Sequence, residues 1–156
     1  MMFVALVPLV SMLYVFAARG TGVVSEYTIS FISPYCFLVD GTEVNLAIKK
    51  AVDSNVSSYT TADTNIQHIV FDIWSDSVHG SMFDWDTDSS SNVDATQNAN
   101  IRVFYSSTNR TAYVLSPNLI ASRDCAHIFE NFSALQSVDF ENFNSVESVS
   151  HENMFY

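Results

Sequence analysis

Residues 128–155 read IFENFSALQSVDFENFNSVESVSHENMF, and the fold expected from the sequence turns on this stretch. Setting Ala126, His127, Ile128 and Phe129 against Glu152, Asn153, Met154 and Phe155 gives an offset of 26 residues, within the range of stacked-repeat architectures. Inside that interval Leu135, Val138 and Phe140 stand at spacings of three and two, and Phe143, Val146 and Val149 continue the apolar rhythm. One unit of this kind cannot bury its apolar face alone, because each repeat is covered by its neighbour. Residues 125–156 are therefore expected to begin a solenoid.

The segment ahead of it reads as β structure. In residues 66–74, Ile69, Phe71 and Ile73 alternate with Val70, Asp72 and Trp74, the period of two that a strand requires. Residues 101–105 and 111–115 are two more such runs, and the five residues between them, Asn109 included, read as a hairpin loop. Residues 66–124 form a β-rich lead-in on this reading. Within residues 21–65, the run 27–39 is apolar and aromatic and reads as extended, broken by Ser33-Pro34. Val44, Ala47, Ile48, Ala51 and Val52 then recur at i, i+3, i+4, i+7 and i+8, which predicts a short helix over 43–53. Thr42 is placed to cap it, Glu43 lies at its positive end, and Lys49-Lys50 lie near its negative end. Polar residues 54–65 read as a loop.

At the other end, residues 1–18 read MMFVALVPLVSMLYVFAA, with no charge before Arg19. Residues 1–20 are expected to be an apolar helix serving as a signal peptide, cut near Ala17 or Ala18, or as an uncleaved signal anchor. Either route exports the rest of the chain. The formal charge of −11 argues against nucleic acid as a partner, because binding to phosphates rests on Lys and Arg. Cys36 and Cys125 allow one disulfide and do not demand it.

Candidate chemistry is sparse. Asp84, Asp86 and Asp88 alternate as positions 1, 3 and 5 of an EF-hand calcium loop do. The match stops there, since Ser89 stands where the turn wants Gly and Ala95 stands where the bidentate Glu belongs. These aspartates are weak metal candidates, and no metal or other cofactor is expected. His68, His79, His127 and His151 have no metal-ligand spacing, and no serine sits in a GxSxG elbow. No catalytic residue is assigned, and the expectation is a protein that is not an enzyme. Asn55-Val56-Ser57, Asn109-Arg110-Thr111 and Asn131-Phe132-Ser133 fit the N-glycan acceptor pattern. Three are close to what chance supplies in a chain rich in Asn and Ser, and they bear on function only in a eukaryotic host.

Residues 128–155 resemble the repeat of BspA-like leucine-rich-repeat surface proteins, whose units read approximately MFxxxSxLxSLDLSxFDTSxVTxMxxMF. Phe129, Ser133, Leu135, Ser137, Val138, Asp139, Phe140, Phe143, Val146, Met154 and Phe155 fall on that pattern. Ile128 departs from its Met, and Phe143 stands where other leucine-rich repeats carry Asn or Cys. With one complete unit and the start of a second, the resemblance implies an N-terminal fragment of a longer array. The implied fold is α+β: an N-terminal apolar helix, a β-rich lead-in, then the start of a leucine-rich-repeat solenoid. The implied function is adhesion or protein binding, secreted or at the cell surface, toward host matrix proteins or surface proteins of other cells. Membrane contact would come only through residues 1–20, if uncleaved. Gln136, Asp139 and Glu141, outward positions on the repeat strand, are the binding-surface candidates. The alternative is a small secreted β protein that binds calcium at 84–94.

Overall fold

The protein is described by a computed structural model over residues 35–88, 91–96, 100–145 and 148–155. The hairpin is the frame. Strand β4 (Arg102–Ser106) pairs antiparallel with β5 (Thr111–Ser116), Ser106 opposite Thr111, and Arg110 takes a left-handed φ of 54° in the turn. Strand β2 (His68–Ile73) lies parallel to β5, from His68 opposite Thr111 to Ile73 opposite Ser116. With β3 (Ser91–Asn92) and β7 (Ser137–Asp139) at its ends, the sheet has the order β3-β4-β5-β2-β7. A second sheet of three parallel strands, β1-β6-β8, joins β1 (Tyr35–Phe37), β6 (Leu119–Ala121) and β8 (Phe143–Asn144). Residues 137–144 thus supply the terminal strand of both sheets. The described residues belong to one compact unit, Tyr35–Tyr156.

Alternation along the strands sends apolar side chains to both faces of the larger sheet. Ile69, Phe71, Val103, Ala112 and Val114 join the main core with Val44 and Ile48 of the helix. Phe104 and Leu115 face the other way, into an aromatic cluster with Phe83, Trp74, Trp85 and Tyr113.

The helix, α1 (Gly41–Lys50), starts two residues before the expected 43 and ends three before 53. Asp40 caps it in place of Thr42, its Oδ1 accepting from the Glu43 N–H at 2.9 Å. A short helix start so close to another segment needs glycine. A Cβ on Gly41 would stand 1.9 Å from the Ala126 carbonyl oxygen, so no larger residue fits at that point of contact.

The expected α+β solenoid is corrected. The described residues are mostly β, in two sheets with one short helix, and they form no solenoid. The segments aligned at 26 residues do touch. Asp124 bridges Ser150, and the N–H groups of His127 and Phe129 donate to the carbonyls of Glu152 and Met154. The apolar positions nevertheless find their cover elsewhere. Leu135, Val138, Phe143 and Met154 pack on the core that β2, β5 and α1 build, so a following coil is not what buries them. The N-terminal apolar helix lies outside the described residues, among which no helix is long and apolar enough to cross a membrane.

Candidate functional site

The expected surface residues fall on the open margin of the larger sheet. Gln136, Asp139 and Glu141 are all exposed, on and beside terminal strand β7. Val138 turns toward the core, while Ser137 stays exposed and its hydroxyl meets His68 Nδ1 at 2.8 Å. The turn after β7 is held locally: Asp139 Oδ1 accepts from the Glu141 N–H at 2.9 Å. Phe140 is 37% exposed and lies parallel to Phe71, ring centroids 6.1 Å apart.

An open groove of about 380 Å³ continues this margin along β8, lined by Tyr35, Leu119, Glu141 and residues 142–145. Val149 and Phe155 add exposed apolar surface on the same C-terminal segment, where residues 125–156 hold five acids and no Lys or Arg. Periodicity located β7, but it gave no sign of the groove, because Tyr35 and Leu119 come from distant strands joined in parallel.

Asp72 anchors the margin to the sheet. Its Oδ1 accepts from Asn142 Nδ2 at 2.8 Å, and its Oδ2 lies 3.3 Å from Nε2 of buried His79. His79 Nδ1 accepts from the Ser75 N–H at 3.1 Å, so the ring proton sits on Nε2, the nitrogen that faces the Asp72 carboxylate. This is a bracket between β2 and its following loop, with both ring nitrogens occupied.

The acidic loop spends its carboxylates on itself. Asp84 Oδ1 accepts from the N–H groups of Asp86 and Thr87 at 2.9 and 3.2 Å, and these bonds hold its carboxyl below the usual range. Asp88 Oδ2 accepts from the Asp84 N–H at 2.7 Å, and Asp86 lies 3.5 Å from Arg102. Asp84, Asp86 and Asp88 therefore do not converge on a common point. Among the described residues no group of three or more His, Cys, Asp or Glu side chains could hold a metal ion. An open groove of about 620 Å³ lies beside this loop, between Met82, Phe83 and Asp88 and the hairpin residues 105–109. Cys36 and Cys125 are both free thiols.

Sequence reading gave no sign of a buried polar knot under α1. Lys49 is 1% exposed, donates to the carbonyls of Glu130, at 3.0 Å, and Tyr59, and lies 4.8 Å over the Phe132 ring. His127 Nδ1 meets Glu130 Oε2 beside it, with the Tyr59 ring 5.3 Å from the imidazole. This His–carboxylate pair borders neither groove. Burial pushes the Lys49 ammonium down from 10.5 to about 8, against the opposing pull of Asp63 and Glu130.

Between those two values the unfolded chain binds more protons than the folded one, so stability rises with pH through that window. The burden of the charge is full below about pH 8 and is gone above 10.5. Parallel melts of wild type and Lys49→Met should show the wild type gaining on the variant from pH 7.5 to 10.5. A pH-independent difference would mean that Lys49 is not desolvated.

No family model, curated protein or solved structure matches the chain.

Proposed function

We propose that this chain is an exported, non-enzymatic module that binds protein partners along the open edge of its five-stranded sheet. The observation that carries this reading is β7, a terminal strand with Asp139 exposed on it and Gln136, Phe140 and Glu141 exposed beside it. An open strand edge offers N–H and C=O groups to an added strand, and neighbouring side chains then select among sequences. Asp139, Glu141 and Glu152, with no cation in residues 125–156, favour partner segments that mix basic and apolar residues. The uncharged residues 1–18 support export, to the cell surface or the medium. Matrix proteins and surface proteins of other cells are the partners within reach there.

The test is a solid-phase titration of the full chain against immobilised extracellular-matrix proteins, with Asp139→Lys/Glu141→Lys as the comparison. An exposed charge pair contributes up to about 1 kcal/mol, so reversing both carboxylates should weaken binding roughly tenfold, with only a small drop in melting temperature from loss of the exposed Asp139–Glu141 turn bond. Equal binding by the two proteins would remove the β7 edge as the contact surface.

A further inference from the structure

Three triplets fit the N-glycan acceptor pattern, and the fold sets two of them apart from the third. Asn55 sits exposed in the turn region after α1, its Nδ2 and its N–H both donating to Asp53 Oδ1 at 3.0 and 2.9 Å, and Ser57 is exposed as well. Those bonds lie in solvent, where water replaces them at little cost. Asn109 is exposed in the β4–β5 hairpin loop, and its Nδ2 donates to Tyr113 Oη at 3.1 Å. A glycosylated amide keeps one N–H, enough to retain that bond.

Asn131 differs in being half-buried. It holds a left-handed φ of 62° in a packed turn, its carbonyl accepts from the Asp63 N–H at 2.8 Å, and its Nδ2 faces Glu130 Oε1 at 3.3 Å. The next residue, Phe132, is 7% exposed, and the Ser133 hydroxyl ties the turn to the Asp63 carbonyl 70 residues away at 2.8 Å, whereas the buried Thr111 hydroxyl of the Asn109 triplet donates within its own loop, to the Asn109 carbonyl at 3.2 Å.

We infer that Asn55 and Asn109 are N-glycan acceptor sites, an inference that rests on the export reading above. The co-substrate class is a lipid-pyrophosphate-linked oligosaccharide, used by a membrane-bound transferase of the secretory pathway. Nδ2 bonds to the anomeric carbon, the bond from that carbon to the pyrophosphate oxygen breaks, the lipid pyrophosphate leaves, and Nδ2 gives up one proton. No oxidant or reductant enters. Both acceptors lie on loops, where a bulky, solvated glycan leaves the two sheets undisturbed.

The test is translation of the full chain with microsomes of the endoplasmic reticulum, reading protease protection and endoglycosidase-sensitive mobility together. The expected result is a protected chain with two mobility steps. Asn55→Gln and Ser57→Ala should each remove one and the same step, Asn109→Gln the other, and Asn131→Gln neither. A protected chain without glycan, or one whose only step disappears with Asn131→Gln, overturns the acceptor assignment and leaves export standing. A chain that remains open to protease overturns the export reading, and the acceptor assignment falls with it.

Discussion

Phe71→Ala is expected to destabilise the fold by roughly 3–5 kcal/mol, a large fraction of the stability of an ordinary domain. Phe71 is 1% exposed at the middle of β2, and three rings of the C-terminal segment converge on it. Phe143 lies 4.7 Å away, Phe140 is parallel at 6.1 Å, and Phe129 meets it edge-on at 6.2 Å. Truncation removes the transfer free energy of the ring and leaves a cavity between β2 and the Phe129, Phe140 and Phe143 rings, which cannot all collapse together. Phe71→Leu, which fills part of that space, should cost less than half as much. Urea denaturation is the measurement, with the midpoint shifted and the slope unchanged. Because Phe140 and the turn after β7 rest on Phe71, the β7 edge proposed as a contact surface should be disordered in the alanine variant. A loss below about 1 kcal/mol would show that residues 129–143 are not seated on β2.

Where the chain interacts with its sequence neighbours, the sequence was legible. Alternation marked β2, β4 and β5, and the hairpin closed between Ser106 and Thr111. Spacing marked the face of α1, since Val44, Ala47 and Ile48 are all buried. Its boundaries were less clear because Asp40 is the better cap: its carboxylate takes both the Glu43 N–H and the Thr42 hydroxyl, which leaves Thr42 a donor inside the first turn. Parallel pairing was illegible for a plain reason. β1 meets β6 across more than 80 residues, and β2 meets β7 across about 70, so nothing local to either strand names its partner. The solenoid expectation failed at this step. The 26-residue offset identified segments that do lie together, as the Asp124–Ser150 bridge shows. Periodicity says which side chains share a face, whereas what covers the face is a tertiary choice, and here β2 and α1 provide the cover.

The binding candidates show the same division. Outward spacing placed Gln136, Asp139 and Glu141 on an exposed margin, and all three are exposed. Acidity at alternate positions drew attention to Asp84, Asp86 and Asp88, but short polar side chains in a turn satisfy nearby N–H groups first. The role of Asp72 was hidden because it occupies the polar phase of an ordinary alternating strand. Its partners His79 and Asn142 lie 7 residues away in one case and 70 in the other.

Asn45→Ala is expected to cost about 2–4 kcal/mol, and Asn45→Asp more than that, although neither residue change touches the apolar core. Asn45 is fully buried on α1, one turn before Lys49. The two hydrogens of its Nδ2 are shared among three carbonyls of one turn, those of His127 at 2.8 Å, Ile128 at 3.2 Å and Glu130 at 2.9 Å. Its own Oδ1 is buried and accepts nothing among the described residues. The side chain therefore serves as a donor alone, and the turn it serves is a demanding one: His127 and Asn131 both hold left-handed backbone, with φ of 63° and 62°. Alanine leaves the Ile128 carbonyl without a donor, whereas the His127 carbonyl keeps the Glu130 N–H at 3.1 Å and the Glu130 carbonyl keeps Lys49. Aspartate is worse, for it sets a carboxylate against the same oxygens. The turn also carries Phe129 toward Phe71 and Phe155 and pairs with residues 152 and 154, so the damage should spread along the C-terminal segment. Hydrogen exchange gives the sharper reading: the amides of His127 and Phe129 should lose protection in Asn45→Ala before those of β4 and β5 do. If the alanine variant melts within experimental error of wild type, Asn45 does not hold the turn.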